Sequence, residues 1–157
     1  MRTDIVLGID PGISGAICAL NADTGVIVWL EDMPAIDKHV NAAALADLLE
    51  HESIRIAAVE AVHAMPKQGV TSSFNFGRSY GVVLGVLAAK DAPVLHLRPA
   101  QWKKAAGLSA DKGASRRLAT DTWPAEAALF KRVKDDGRAE AALMARHAWL
   151  KSWGMAA

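Results

Sequence analysis

The residues best suited by type to do chemistry are carboxylates that end apolar runs. Asp10 closes the β-rich run Ile5-Val6-Leu7-Gly8-Ile9-Asp10 and is followed by Pro11-Gly12, which ends a strand and puts the side chain at a sheet edge. Glu60 closes Ile56-Ala57-Ala58-Val59-Glu60, where a lone charge is costly unless solvated or paired. The run Asp135-Asp136-Gly137-Arg138-Ala139-Glu140 opens an apolar helix. Asp136 and Glu140 are four apart, so a helix puts them on one face, where like charges repel. A divalent cation offsets that repulsion. Each acid also has a plainer reading. Asp10 suits a β-turn, Glu60 a solvated strand end, and Asp136 a helix N-cap. Capping accounts less well for Glu140, which precedes the inward-looking Ala141, Leu143 and Met144.

Oxygen ligands without a Cys/His cluster favour Mg²⁺ or Mn²⁺ over zinc. His39, His51, His63, His96 and His147 lack ligand spacing, and only His63 lies close to Glu60 in sequence. Glycines at 8, 12 and 15 permit tight backbone turns and close approach of a bulky ligand around Asp10.

The elements that must position these acids follow from periodicity. Residues 5–10, 15–20 and 26–30 read as three strands joined by tight turns, an antiparallel meander. Residues 40–51 have helical spacing, 54–60 is a strand, and 61–70 is a loop with Pro66 and Gly69. Thr71 or Ser72 is expected to cap a long helix reaching Ala89. A strand over 94–97, short helices over 100–106 and 111–122, and a last helix from Asp136 to about Trp153 complete the order. A meander followed by crossovers predicts an α/β fold: a mixed five-stranded sheet flanked by helices, in a single domain over 1–157.

Of the 157 residues, 52% are hydrophobic, enough for a full core. No run of about 20 apolar residues suggests a membrane span. The N-terminus reads as a strand rather than a signal peptide, because Asp4 and Asp10 interrupt it. The single Cys18 excludes an internal disulfide and fits a reducing cytosol. The net charge of +1 hides an asymmetry: residues 1–66 carry 3 Lys/Arg against 10 Asp/Glu, and residues 67–138 carry 13 against 6. A basic segment beside an acidic one suits an enzyme that holds a polyanion on one part and cations on the other.

Gly8-Ile9-Asp10-Pro11-Gly12 on the first strand, Val59-Glu60 on the fourth and Asp-x-x-x-Glu opening the last helix resemble the RuvC family, in the short phage-type form. The resemblance spans nearly the whole chain. It implies a ribonuclease H-like fold and a cytoplasmic homodimer that resolves four-way (Holliday) DNA junctions by paired nicks. It places Asp10, Glu60, Asp136 and Glu140 as catalytic and metal-binding residues. Two Mg²⁺ or Mn²⁺ ions per site would drive phosphodiester hydrolysis to 5′-phosphate nicks. Two features depart from the family pattern. The last two acids are usually three apart, but here Gly137 holds the three-apart position, and Asp135 rivals Asp136. The family's aromatic wedge, three residues after the second acid, is replaced by His63, leaving Met65, Phe74 or Phe76 for strand separation.

Basic residues follow the fifth strand: Lys103, Lys104, Lys112, Arg116 and Arg117, with Lys67, Arg78 and Arg98 extending the path. Similar segments of the family carry DNA-contacting lysines. Gln68 could extend this path, and Trp102, beside Lys103, is the tryptophan that could touch DNA. Gly77, Gly81 and Gly85 form a smooth stripe on the 71–89 helix, which fits either a second subunit or its own sheet. Three rivals remain: a sugar-kinase-like phosphotransferase, for which the chain is too short; a ribonuclease H-like enzyme on RNA, hybrid or other branched DNA; and a non-catalytic junction-binding module.

Overall fold

A computed structural model describes residues 4–61, 66–111 and 113–154. The strands β1 (Asp4–Ile9), β2 (Ala16–Asn21) and β3 (Ile27–Asp32) form the expected meander. A short hairpin, β4 (Ala35–Ile36) and β5 (His39–Val40), precedes α1 (Ala42–Leu48) and was not anticipated. Then come β6 (Ser53–Glu60), α2 (Val70–Ala89), β7 (Val94–Leu97), α3 (Pro99–Ala105), α4 (Ala114–Thr122), two 3₁₀ turns and α5 (Asp136–Ser152). The main sheet has the order β3-β2-β1-β6-β7. Its first three strands pair antiparallel, and β1–β6 and β6–β7 pair parallel.

The period-two alternation of the strands sorts two cores. Val6, Cys18, Leu20 and Ala58 join α3, α4 and α5 on one face. Ile5, Leu7, Ile9, Ile17 and Val59 join α1 and α2 on the other. Asp10 shares the parity of Val6 and Gly8, and Glu60 that of Ala58. In β1–β6, Ile9 lies opposite Val59. The next residues, Asp10 and Glu60, therefore leave adjacent strands together on the α5 face.

The helix α5 reaches that edge because it lies almost on the backbone of β1. A Cβ on Gly8 would be 2.0 Å from the Ala141 carbonyl oxygen and 2.4 Å from the Ala145 nitrogen. Ala141, Ala142, Ala145 and Ala148 are all buried. Their small side chains permit the close approach.

Some boundaries differ from the expectation. Gly69, not Thr71 or Ser72, caps α2, and it makes no side-chain cap bond. The helix α4 begins at Ala114 rather than 111. The later start of α4 reflects a glycine turn, since Gly113 has a left-handed φ of 82°.

Candidate active site

Asp10 lies in the turn between β1 and β2, where the Gly12 N–H donates to its Oδ1 at 3.3 Å. The turn closes tightly because position 15 has no side chain: a Cβ there would be 2.2 Å from the Asp10 carbonyl oxygen. Burial raises the Asp10 carboxyl above the usual range against the Gly12 bond, and the charge of Glu140 adds to that rise. Burial, then the charges of Asp10 and Glu140, push Glu60 up to about 7. The charge of Glu140 is therefore felt at both Asp10 and Glu60, and that of Asp10 at Glu60.

Two residues of α3 answer this negative charge. The indole Nε1 of Trp102 donates to Glu60 Oε1 at 3.3 Å, and its ring is fully buried. Trp102 is thus a support beneath the site, not the exposed DNA contact that its place in the sequence suggested. Lys103 Nζ lies 2.6 Å from Glu140 Oε1 and 5.4 Å from the Trp102 ring centroid.

The acids opening α5 divide. Asp135 is 1% exposed and accepts from the Arg132 backbone N–H at 2.7 Å and from the Arg132 guanidinium at 2.8 Å. The Arg132 guanidinium holds its carboxyl below the usual range. It closes the turn before α5 as a capping box. The half-exposed Asp136 accepts from Arg116 Nε at 2.6 Å. Position 137 is the one that faces Asp10, since a Cβ there would sit 3.5 Å from Asp10 Oδ2 and 2.8 Å from the Ser14 carbonyl oxygen. That close approach is the feature missed in the sequence, and its signal was Gly137 at the three-apart position.

Among the described residues, no group of three or more His, Cys, Asp or Glu side chains is arranged to hold a metal ion. The donor chemistry nevertheless fits a hard divalent cation. Asp10, Glu60 and Glu140 offer oxygen alone, and their mutual repulsion is what such a cation relieves.

The basic residues spread outward from this centre. Lys103 and Arg116 pair with the acids of α5, and Arg117 pairs with Asp111. Arg78 lies 3.4 Å from His39. Lys67, Arg98 and Lys104 are exposed. Lys112, His63 and Met65 lie outside the described residues. Phe74 is 70% exposed, whereas Phe76 is half-buried against Gly12.

The sheet order and the flanking helices are those of a ribonuclease H-like fold. No family model matches the chain. A 109-residue segment is 35% identical to the crossover junction endodeoxyribonuclease RuvC of Nitratidesulfovibrio vulgaris strain Hildenborough. It is 34% identical to that of strain DP4. The match covers 64% of this chain and 64% of each relative, so less than two thirds of their length is spanned. The fold is shared with Thermus thermophilus RuvC in complex with a Holliday junction substrate, with a TM-score of 0.69, 20% identity and 98% of both chains covered. A second T. thermophilus RuvC structure gives a TM-score of 0.68 at 19% identity, covering 97% of this chain and 98% of that one. The chain is thus similar to RuvC in sequence over that segment and in fold over nearly its whole length.

Proposed function

We propose that the protein is an endodeoxyribonuclease that resolves four-way DNA junctions by metal-assisted phosphodiester hydrolysis. The observation that carries this reading is the convergence of Asp10 and Glu60 at one sheet edge with Glu140 of α5, whose charge bears on both. The RuvC relatives are named for cutting crossover junctions, and one neighbour of shared fold is bound to a Holliday junction.

Asp10, Glu60 and Glu140 would hold Mg²⁺ or Mn²⁺, with Asp136 as the fourth acid, two ions per site on the family pattern. When bound, the cations would supply Lewis-acid stabilisation of the phosphate and a more acidic water. The protein's own groups do the positioning. The Gly12 N–H and the Trp102 indole each fix one carboxylate oxygen. Lys103 and Arg116 bring positive charge to the edge where a phosphate must sit. Lys67, Arg78, Arg98, Lys104, Lys112 and Arg117 extend this charge outward along the DNA.

A junction with two-fold symmetry calls for a symmetric enzyme. The stripe Gly77, Gly81 and Gly85 is exposed, and among the described residues nothing lies within 4 Å of a Cβ built at any of them. The stripe therefore does not pack on the described sheet. We assign it to a second copy of α2. Among the described residues, no helix is long and apolar enough to cross a membrane, and we place the enzyme in the cytoplasm with its DNA.

The test is cleavage of a four-way junction, duplex DNA and an RNA–DNA hybrid, each with Mg²⁺ or EDTA. Cutting of the junction with Mg²⁺ alone is expected. The Asp10→Asn variant should fold and bind the junction yet cut at least 10³-fold more slowly, in line with losing a group that acts in the transition state. Normal cutting by that variant overturns the reading.

A further inference from the structure

The 3₁₀ turn before α5 is dense in cations: Lys131, Arg132 and Lys134, followed by Arg138 on the helix itself. Residues 131–134 are all exposed, and Val133 is 76% exposed, so this turn stands clear of the core. Two of the four cations are engaged within the protein. Arg132 occupies both oxygens of the buried Asp135. Arg138 occupies both oxygens of Asp32, with Nε on Oδ1 at 2.6 Å and Nη2 on Oδ2 at 3.0 Å. Those Arg138 bonds, with the nearby charges of Lys134 and Arg132, hold the Asp32 carboxyl below the usual range against its burial. Among the described residues, Lys131 and Lys134 join no ion pair. Their charge is in surplus at this rim, where both carboxylates are already neutralised by guanidinium groups.

The surplus stands beside the catalytic turn. Lys134 shares a depression of about 240 Å³ with Asp32, Asp135 and the backbone turn Ile13, Ser14 and Gly15. That turn carries Asp10: a Cβ at position 15 would be 2.8 Å from the Asp10 Cγ. The sheet order β3-β2-β1-β6-β7 puts Asp32, and Lys134 with it, on the β3 flank. Arg98, Lys103 and Lys104 follow β7 on the other flank. Asp10 and Glu60 leave the strands between them. The strand β3 lies two strands from β1, about 10 Å at the usual spacing, which is about three base pairs along B-DNA.

We propose that Lys131 and Lys134 hold the sugar–phosphate backbone of the DNA on the β3 side of the cut. Together with the α3 lysines they grip it on both sides of the carboxylates. Arg132 and Arg138 fix the turn and the end of β3 so that the two lysines face the DNA. The proposal rests on the nuclease reading and adds a contact surface to it.

The experiment uses the full chain and a four-way junction in EDTA, with binding measured over a range of salt. The Lys131→Ala/Lys134→Ala variant should melt as the wild type does and flatten the log–log salt dependence by about 2. Lys131→Arg/Lys134→Arg should restore the slope. Lys151→Ala, at the far end of α5, should leave it unchanged. Methylphosphonate, which removes the charge of a single phosphate, is then placed at each position flanking the branch in turn. On one side of the branch it should weaken wild-type binding severalfold and that of the double Ala variant hardly at all. An unchanged salt slope in that variant, or losses equal to those of the wild type at every methylphosphonate, overturns the contact. A protein that gives either result yet binds and cuts junctions keeps the nuclease reading. A protein that binds no branched DNA loses both.

Discussion

Gly137 lies so close to Asp10 that a Cβ at position 137 would stand 3.5 Å from the Asp10 Oδ2. The same Cβ would be 2.8 Å from the Ser14 backbone oxygen, a contact that cannot be relieved by turning a side chain. Gly137→Ala must push the Asp10 turn and the start of α5 apart. A stability loss of about 1–3 kcal/mol is expected, lowering the melting temperature by roughly 2–4 °C per kcal/mol. Junction cutting, measured where the variant is fully folded, should fall about tenfold or more, because small misplacements at a reacting centre are costly. An unchanged rate would separate α5 from the chemistry.

Glu60 makes the metal-free protein sensitive to pH. Its folded carboxyl is pushed up to about 7 from an ordinary 4.5. Between those values the folded state keeps a proton that the unfolded chain has released. Stability from this group is full below about 4.5 and is lost as pH rises through 7. The raised Asp10 carboxyl acts in the same direction. Thermal melts in EDTA at pH 5 and pH 8 should therefore diverge less for Glu60→Gln than for wild type. An identical pH dependence in both would show that Glu60 does not hold this proton.

The exposed Lys67, Arg98 and Lys104 stand apart from the carboxylates and test the DNA path alone. If each meets a phosphate, replacing all three by Ala should flatten the log–log dependence of junction binding on salt by about 2–3. Cutting at saturating protein should be retained. An unchanged slope in a salt titration removes them from the path.

The exposed glycine stripe permits a test of the second subunit. Among the described residues nothing lies within 4 Å of a Cβ at Gly81, so Gly81→Glu should still fold, with a melting temperature lowered only by the loss of the partner. Sedimentation at micromolar concentration should show the wild type as a dimer and the variant as a monomer. A wild type that sediments as a monomer overturns the α2 interface.

Strand periodicity alone carried much of the fold. The continuous apolar runs Ile5–Ile9 and Ile56–Val59 mark strands buried on both faces, and the meander-then-crossover order predicts the mixed pairing. Asp10 and Glu60 were legible because charged residues at the ends of apolar strands are costly without a purpose. The hairpin over 35–40 was not legible, since two-residue strands leave no periodic signal.

The basic and acidic partners were decided by tertiary structure alone. Asp135, Asp136 and Glu140 are similar in type and adjacent in sequence. What separates them is which cation each meets: Arg132 three residues away, Arg116 on α4, or Lys103 on α3. The Arg132 pair is local, but the Arg116 and Lys103 pairs depend on helix packing over long sequence separations, which no local pattern encodes. The same holds for Trp102, whose place between Gln101 and Lys103 suggested exposure, whereas α3 turns it fully inward beneath Glu60. The sequence determined the kinds of residue at the sheet edge and their order along the chain. Packing of α5 and α3 against β1 and β6 decided which carboxylates meet, because only close approach at Gly8 and Gly137 brings the last helix to Asp10.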